Sequence, residues 1–507
     1  MQLKNLERIS QSGQRERNQI WNTLIQVYRD FANQSTIHGI KYTAQAKTAT
    51  ERLLWLTILI ISLCCAAELA NKFYERHESG NMRTTVVSDQ FPSFKLPVPT
   101  VTLCHGNLVS AERLNHFLKK QKLHMPTGLS IKDFERGVQH FREIIYPYHH
   151  YPKELSNLQQ ILDANNISVA HLLRELSPKC MDVLLMCMYE GRIAHCDDVF
   201  VSKLTSYGFC CLFNSDEQND LRISRKVLWT RNKYSLNFGT RYILSVLMKP
   251  YNASDRVAAI TYSGGYKVLV HDKYTMPGPH SISFMLASTY ETIVGLNGKQ
   301  MTTSPEVLTL ASKQRKCRPS TKENIYRLSN CYKECRRNMI YDRCKCVHYF
   351  SSELEPHQIH CNLTHIACLA KVMPDTYSLK LHSMCDCLPD CKGTEYTISI
   401  TGQPFTAVRF RPGQFYRKAE QHPNSTALHV TFANQVSILE RKELVLSWIN
   451  LVSSLGGVFS LFLGCSFISI FEFVYFFSYQ LIKKLQSKYT RNSIVIKTKL
   501  TIREFTN

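Results

Sequence analysis

The 507-residue sequence lacks the motifs of a catalytic triad, a phosphate-binding loop and an ATPase, and its first 50 residues lack an apolar core. The missing motifs argue against an enzyme and against transport driven by ATP, so no cofactor is expected. The missing apolar core argues against a secretory signal peptide. A chain of this length is still large enough for a sizeable core or for several domains.

Acidic residues are scarce, because 40 Asp and Glu stand against 62 Lys and Arg, which gives a net charge of +22. Such an excess is often a sign of nucleic-acid binding. Here the basic residues are spread along the chain instead of forming one patch, so nucleic acid is not expected as a partner. The excess has local causes, including basic segments at both ends of the chain.

Cysteine is abundant, with 19 residues, of which sixteen lie between Cys104 and Cys391. An even number of cysteines in one region is typical of a disulfide framework in an oxidising compartment. Zinc ligation is the alternative for the Cys-x-Cys and Cys-x-x-x-Cys runs, but the oxidising compartment favours disulfides, and no metal is expected. The other three, Cys64, Cys65 and Cys465, lie in apolar stretches, where we interpret them as small packing residues.

Two long apolar stretches predict membrane-spanning helices. The first covers 53–74, and about 20 apolar residues suffice to cross a bilayer. A buried core helix is the alternative. The second covers 444–477, and as one helix its 34 residues would extend about 51 Å, beyond the roughly 30 Å apolar core of a membrane. It must tilt, protrude or break, and Gly464-Cys465-Ser466 is the natural place for a break because glycine has no Cβ.

The residues that flank these stretches predict their orientation. Residues 1–52 carry eight Lys and Arg against four acids, and residues 478–507 carry seven against one. An excess of basic residues is typical of the cytoplasmic side of a membrane, so both ends are expected in the cytoplasm. The region 75–443 is then extracellular, at the plasma membrane, in agreement with its cysteines.

Sequons for N-glycosylation also lie in the region between the two stretches. They begin at Asn166, Asn252, Asn362 and Asn424. A glycosylated asparagine belongs on an extracellular surface, which agrees with the predicted orientation. A fifth sequon, at Asn33, would be cytoplasmic and unused.

Small or polar residues recur along the second stretch, at Asn450, Ser453, Gly457, Ser460 and Gly464. Steps of three and four residues place them on one face of a helix. Two interpretations of this stripe stay open. It lets helices pack closely in lipid, or it lines a water-filled path through the membrane.

A glutamate in the same stretch favours the water-filled path. Glu472 lies six residues beyond Ser466, among Phe and Val, and an ionisable residue within a membrane usually faces a cavity or a pathway. In a symmetric oligomer it would form a ring of carboxylates, which attracts cations. An interfacial position of Glu472 at the membrane surface is the alternative.

A helix break over 464–466 would free backbone carbonyl oxygens from helix hydrogen bonds. Together with hydroxyl oxygens there, they would replace part of the water shell of a sodium ion.

The segment LVSSLGGVFSLFLGCSFISIFE resembles the pore helix of the degenerin/epithelial sodium channel family. In this resemblance Gly464-Cys465-Ser466 matches the family's Gly-x-Ser selectivity filter. Ser453 matches the position at which bulky side chains hold these channels open, and Glu472 matches the glutamate below the filter. Ser454 departs from the acid-sensing channels of the family, which carry an aspartate there in the outer pore.

The resemblance covers nearly the whole chain. His38-Gly39, in STIHGIKY, matches the family's gating motif before the first membrane helix, and FPSFKLPVPTVTLC resembles its first block after that helix. GYKVLVHD, from Gly265 to Asp272, is predicted as a strand. CYKECRRNMIYDRCKC and CDCLPDCKGTEY resemble the cysteine-rich thumb. A Cys-x-x-x-Gly block matches at Cys187, Gly191, Cys196, Phe200, Thr205, Gly208, Cys210, Phe213 and Asn214. In the general character of its sequence, and not in any single motif, the chain most resembles insect members of the pickpocket group.

The resemblance implies a set of disulfides, in which outer cysteines of the thumb pair with outer ones and inner with inner. The implied pairs are Cys104–Cys210, Cys187–Cys196, Cys317–Cys391, Cys331–Cys387, Cys335–Cys385, Cys344–Cys368 and Cys346–Cys361. Cys180 and Cys211 are left over, and we predict that they pair with each other.

The implied fold is α+β, with two transmembrane helices and a large disulfide-rich extracellular domain made of a β core with a helical finger and thumb. The implied assembly is a trimer, either of this chain alone or with other subunits of the family, in contact with membrane lipid. The implied function is passage of Na⁺ through a sodium-selective, amiloride-sensitive channel that is not gated by voltage. An extracellular chemical or mechanical stimulus would open it, in a sensory role.

Two other classes of protein share the predicted membrane layout. An ATP-gated channel also has two membrane helices, but the Gly-Cys-Ser break and the order of the thumb cysteines argue against it. A two-helix scavenger or lipid-handling receptor would need neither a polar stripe nor a glutamate in its second membrane helix. The stripe and Glu472 therefore argue against the receptor.

Overall fold

The computed structural model of the chain describes residues 18, 20–147, 153–215, 234–279, 281–321, 325–351, 354–378, 380–406, 413–488 and 490. These residues belong to two compact units. Unit 1 combines Met1–Arg83 with Leu444–Asn507, and unit 2 is Thr84–Glu443. The tails predicted to be cytoplasmic are described only in part, because 1–17 and 491–507 lie outside the described residues.

The described residues contain both helices and strands. The helices are α1 (20–34), α2 (Ile40–Gln45), α3 (Ala49–Glu78), α4 (Ala111–Lys120), α5 (Ile131–Gln139), α6 (Arg142–Ile145), α7 (Lys153–Ala164), α8 (Val169–Leu176), α9 (Cys180–Val183), α10 (Cys196–Val199), α11 (Pro305–Leu308), α12 (Ser312–Arg315), α13 (Leu328–Cys344), α14 (Ile366–Thr376), α15 (Lys380–Met384), α16 (Gln414–Gln421), α17 (Trp448–Leu463) and α18 (Phe467–Val474). The strands are β1 (Met82–Pro92), β2 (Thr100–His105), β3 (Asn107–Ser110), β4 (Leu184–Tyr189), β5 (Arg192–Ala194), β6 (Phe200–Thr205), β7 (Gly208–Phe213), β8 (Leu244–Met248), β9 (Arg256–Ala259), β10 (Tyr266–His271), β11 (Ile282–Leu286), β12 (Tyr290–Thr303), β13 (Gly393–Pro404), β14 (Thr426–Phe432) and β15 (Val436–Leu444).

The first apolar stretch of unit 1 forms a single long helix. The Thr48 side chain accepts a hydrogen bond from the backbone N–H of Glu51 at 3.2 Å and so caps the start of α3. The 30 residues of α3 extend about 45 Å, so the helix is longer than the predicted 53–74 at both ends. Among the described residues, α3 is the one helix that alone is long and apolar enough to cross a membrane.

The second apolar stretch breaks, and it starts later than predicted. The helix begins at Trp448 and not at 444, because β15 continues to Leu444. The Ser447 side chain accepts a hydrogen bond from the Asn450 N–H at 3.3 Å and caps this start. The helix stops at Leu463 and resumes at Phe467, with a bend of 66° between the two parts. The second part continues through a π-helical turn over Tyr475–Gln480.

The polar N-terminal segment forms a helix, α1, that the sequence analysis did not predict. Its Val27 and Phe31 are buried together with Phe476 of the C-terminal helix. The Phe31 ring lies 5.4 Å from the Phe477 ring in an edge-on arrangement, which is favourable for aromatic pairs. Apolar residues four positions apart lie on one face of a helix. The spacing of Val27 and Phe31 in the sequence could therefore have predicted this helix.

The described residues of unit 2 form three sheets. The largest has eight strands in the order β1-β15-β12-β14-β8-β4-β5, with β13 also paired to β12. A second sheet has the order β11-β10-β2-β7-β6, and β3 pairs with β9. The predicted strand GYKVLVHD is β10, and since it lies between two other strands inside its sheet, Val268, Leu269 and Val270 are all buried. The predicted α+β class is confirmed.

The helices of unit 2 form a second core beside the sheets. Phe134, Phe141, Leu158 and Leu172, from α5 to α8, are fully buried there. Residues of α13 and α14 join the same apolar cluster, so the cysteine-rich helices share a core with the helices that precede them in the chain.

Sixteen cysteines form eight disulfides in unit 2, in the pairs that were expected, including Cys180–Cys211. Cys104–Cys210 joins two residues that face each other directly in β2 and β7. Cys344–Cys368 joins α13 to α14. Among the described residues, Cys64, Cys65 and Cys465 are the free cysteines.

A half-buried histidine at the end of β2, His105, predicts that the stability of unit 2 depends on pH. Burial lowers the pKa of His105 to about 4, although the Asp255 carboxylate acts in the opposite direction. Between pH 6.5 and about 4 the unfolded chain binds a proton that the folded chain does not, so stability falls as the pH falls through this window. This one residue should cost about 3 kcal/mol across the window.

Thermal unfolding of the whole chain at several pH values checks this prediction. His105→Asn keeps an oxygen for the Asn107 N–H and removes the titrating group. The fall in unfolding temperature between pH 6.5 and 4 should be smaller in the variant than in the unsubstituted chain. Equal falls in both would contradict the prediction.

Candidate functional site

The break between α17 and α18 has a defined backbone structure. Gly464 ends α17 with φ at 64°, a left-handed conformation that glycine adopts without steric cost. Its N–H donates to the Ser460 carbonyl at 2.9 Å, and the Cys465 N–H donates to the Phe459 carbonyl at 3.2 Å. Among the described residues, no donor reaches the carbonyl oxygens of Gly464 and Cys465, so both oxygens are available to another partner.

Two serines start α18 on the other side of the break. The Ser466 N–H donates to the Ser469 hydroxyl at 3.0 Å, and the two hydroxyls lie 3.2 Å apart. The Ser469 hydroxyl also lies 2.9 Å from that of Thr36. Ser469 and Thr36 were not singled out from the sequence. The signal that would have found Ser469 is its position three residues after Ser466, the spacing of a helix N-cap pair.

The N-terminal segment of unit 1 packs directly against the break. The His38 N–H donates to the Leu463 carbonyl at 2.8 Å, which satisfies one of the oxygens left unpaired at the end of α17. The His38 ring lies so close to Gly464 that a Cβ built there would be 2.7 Å from the ring. Gly39 follows with φ at 83° and starts α2. The structure therefore brings His38-Gly39 and Gly464-Cys465-Ser466 together.

The predicted stripe lies on an exposed face of α17. Asn450, Ser453, Gly457 and Ser460 are exposed, while Leu451 and Val458 are buried on another side of the same helix. A Cβ built on Gly457 would meet no atom within 4 Å. Ser454 is half-buried and lies beside this face. Within the described residues of one chain, nothing covers the stripe.

Glu472 lies in α18, eight residues beyond Gly464, and is half-buried. Its Oε2 oxygen is buried and has no hydrogen-bond partner among the described residues. An unpaired carboxylate oxygen in such a place is costly unless water, an ion or another chain supplies a partner. This position therefore requires a partner from outside the described chain.

Contacts beyond the break join the two ends of unit 1. Lys484 forms an ion pair with Asp30, and the Lys488 ammonium donates to the Thr23 hydroxyl at 3.1 Å. With the aromatic cluster around Phe31, they hold α1 against the C-terminal helix. The segment that carries His38-Gly39 is thus anchored on its N-terminal side.

The other predicted sites are on the surface of unit 2. Asn166, Asn252 and Asn424 are exposed, and Asn362 is half-buried. As for metals, no group of three or more His, Cys, Asp and Glu is arranged to hold an ion in the part of the chain that the structure describes.

Comparison with known families matches residues 31–476 to the family described as "Amiloride-sensitive sodium channel". This match spans most of the chain, from the end of α1 into the π-helical turn, and includes the first apolar stretch, nearly all of the second and all of unit 2. The chain therefore belongs to the degenerin/epithelial sodium channel family.

Individual relatives agree with this membership. The chain is 28% identical over 482 residues to "Sodium channel protein Nach" of Drosophila melanogaster, with 90% of this chain and 87% of the relative covered. It is 21% identical to "Pickpocket protein 11" of the same organism, with 88% and 74% covered. It is 24% identical to human "Acid-sensing ion channel 2", with 90% and 86% covered.

Family membership indicates a sodium channel subunit and not an enzyme. Channels of this family are embedded in membranes and are multimeric, which gives a physical context for the exposed stripe on α17 and the unpaired oxygen of Glu472. The family predicted from the sequence motifs is confirmed, and so is the predicted likeness to its pickpocket group.

Proposed function

We propose that the chain is one subunit of a trimeric, sodium-selective channel of the plasma membrane, with both ends in the cytoplasm and unit 2 outside. In this proposal α3 and the bent pair of α17 and α18 cross the membrane. Three copies of the second helix, from this chain or from related subunits, surround one pore. The channel is blocked by amiloride, is not gated by voltage, and opens on an extracellular chemical or mechanical stimulus in a sensory cell.

One observation carries the proposal: a polar stripe, uncovered in the single chain, leads directly to a helix break with unpaired backbone oxygens. Such backbone is tolerated inside a membrane only where it is buried in protein or lines a cavity. Three copies of the stripe facing one axis would provide a polar path. The carbonyls of Gly464 and Cys465 and the Ser466 hydroxyl then replace part of the water shell of Na⁺.

The path continues beyond the break to Glu472. Its partner is supplied by water or by the passing cation, since a ring of three carboxylates concentrates cations. Above the break, Ser454 provides no charge, so the outer pore of this chain concentrates cations less than one with an acidic residue there. Transport is passive, because Na⁺ moves down its own gradient.

The contact between His38 and the break gives the gating motif a physical role. A movement of α1 or α2 reaches the break through the His38–Leu463 hydrogen bond and through the ring packed on Gly464. Two discrete arrangements of this contact would correspond to open and closed states. The packing of His38 against the helix break is the observation that supports this gating role.

A bulky residue at Ser453 tests the proposal without knowledge of the stimulus. Ser453 is exposed on α17, so Ser453→Phe folds without a clash inside one chain but fills space where three stripes converge. The expected result is a constitutive, sodium-selective, amiloride-sensitive whole-cell current. The matched control is Val452→Phe. Val452 is next to Ser453 and 53% exposed, but it lies off the stripe, so this change should not open the channel.

The decisive negative result is silence of the Ser453→Phe chain at the cell surface, both alone and with co-expressed pickpocket relatives. Equal currents from Ser453→Phe and Val452→Phe would show that the stripe does not face the pore.

A further inference from the structure

Unit 2 contains a cavity of about 460 Å³ between α16 and the strands β4, β8 and β14 of the large sheet. Small-molecule sites in proteins have volumes of about 300–1,000 Å³, so the cavity is large enough for a small ligand. It lies entirely within unit 2, and neither the disulfides nor the proposed pore uses it.

The floor of the cavity is a rigid polar network. His429 is buried, and its Nδ1 lies 2.8 Å from the Ser245 hydroxyl while its Nε2 lies 3.2 Å from the Glu291 carboxylate. The Tyr416 hydroxyl donates to the same carboxylate at 2.9 Å. Both ring nitrogens of His429 are engaged, so this residue shapes the cavity and is not itself free to bind a ligand.

The walls are aromatic. The Tyr242 ring stacks on His429 with centroids 4.3 Å apart, and the buried Phe415 ring lies 5.2 Å from the same imidazole. Phe415 and Tyr416 meet edge to face at 5.4 Å. These fixed rings provide a surface on which a flat apolar group can stack.

A carboxylate at the cavity wall lacks a partner. Glu190 begins the turn after β4 with φ at 49°, and its N–H donates to the Ile243 carbonyl at 2.8 Å, so its backbone is held in place. Its Oε1 oxygen is buried without a hydrogen-bond partner, and Glu190 forms no ion pair with any described residue. A buried carboxylate oxygen in this state is costly, and a ligand that donates a hydrogen bond would remove the cost.

A positive group lines the same cavity. Arg241 is exposed and forms no ion pair with Glu190 or with another described residue. The first residues of α16 also line the cavity, no side chain caps that helix at Gly413, and its first turn contains no acid. The positive end of a helix favours an anion, so Arg241 and α16 act in the same direction.

We propose that this cavity binds a zwitterionic ligand of the α-amino acid class with an aromatic side chain. Its ammonium donates to Glu190, its carboxylate accepts from Arg241 at the start of α16, and its ring stacks among Tyr242, Phe415 and Tyr416. One ligand binds per chain. Binding at this site does not require that the chain conducts ions.

Titration calorimetry on the purified full-length chain tests the proposal, with L-phenylalanine as the probe. Phenethylamine, which lacks the carboxylate, and 3-phenylpropionate, which lacks the ammonium, are the comparison probes. Each should bind the unsubstituted chain about tenfold or more weakly than L-phenylalanine, because each loses one charge-assisted contact.

Two variants locate the binding. Glu190→Gln should weaken L-phenylalanine binding about tenfold or more, and it should not lower the unfolding temperature, because it removes a charge whose oxygen has no hydrogen-bond partner among the described residues. Arg241→Gln should weaken L-phenylalanine by a similar factor and leave phenethylamine unchanged. Arg343→Gln is the matched control, since Arg343 is an exposed arginine on α13 that lines neither this cavity nor the adjoining one, and binding should not change.

Three results would overturn the proposal. L-phenylalanine does not saturate the unsubstituted chain by about 10 mM. Phenethylamine binds as tightly as L-phenylalanine, which would show that no carboxylate contact exists. Glu190→Gln and Arg241→Gln bind L-phenylalanine as the unsubstituted chain does, which would place the site elsewhere. The probe comparison on the unsubstituted chain remains decisive even if one variant fails to fold.

Discussion

Replacing Gly464 by alanine is expected to abolish or strongly reduce sodium current in a channel held open by Ser453→Phe. The backbone of Gly464 is left-handed, a conformation that costs a residue with a Cβ about 1–2 kcal/mol. The new Cβ would also lie 2.7 Å from the His38 ring, so the ring must move. Both effects act on the helix break, whose carbonyl oxygens are proposed to contact Na⁺.

A double variant separates the two effects. In Gly464→Ala with His38→Ala the ring is absent, so only the backbone strain remains, and part of the lost current should return. Gly457→Ala is the matched control, because a Cβ there would meet no atom within 4 Å, and its current should resemble that of the parent. If Gly464→Ala in the Ser453→Phe channel gave the same current and selectivity as the Ser453→Phe parent, the role assigned to the break would be contradicted.

Removing Cys104–Cys210 is expected to give the largest loss of stability in unit 2. The two cysteines are 106 residues apart, and closing a loop of that length stabilises the folded state by about 5 kcal/mol in the chain-entropy account. Cys104→Ala with Cys210→Ala should therefore lower the free energy of unfolding by about that amount. Protease resistance of the full-length chain in increasing urea measures the loss.

Cys187–Cys196 provides the comparison, because its residues are only 9 apart and belong to the same cysteine block. Its removal should cost about 3 kcal/mol by the same loop-length relation. Equal losses in the two double variants would show that strand contacts, and not loop closure, set the contribution of Cys104–Cys210.

Features that depend on local residue chemistry were predictable from the sequence. Gly464 marked the helix break because a left-handed end of a helix favours glycine. Valine and leucine at 268–270 marked β10 because such residues are enriched in strands. The eight disulfides followed from family resemblance and from one leftover pair, since spacing alone does not determine connectivity.

Features that depend on distant partners were not predictable. Residues 444–447 are apolar enough to extend a helix, but β15 pairs with β12 as far as Lys442, and this pairing keeps the chain extended. The α1 helix is mostly polar, and its stability comes from Phe476 and Phe477, more than 440 residues further along the chain. No sequence motif marked Glu190 and Arg241 as parts of one site, because only the fold brings them to the same cavity.

The pairing of β1 with β15 has a consequence for biosynthesis. These strands lie at opposite ends of unit 2 in the chain, yet they are neighbours in one sheet. On the ribosome, β1 emerges about 350 residues before its partner, and non-local pairing of this kind is slow. Throughout that interval the edge of β1 is exposed and prone to wrong pairing. We therefore expect the edge of β1 to need protection from wrong pairing until β15 is translated.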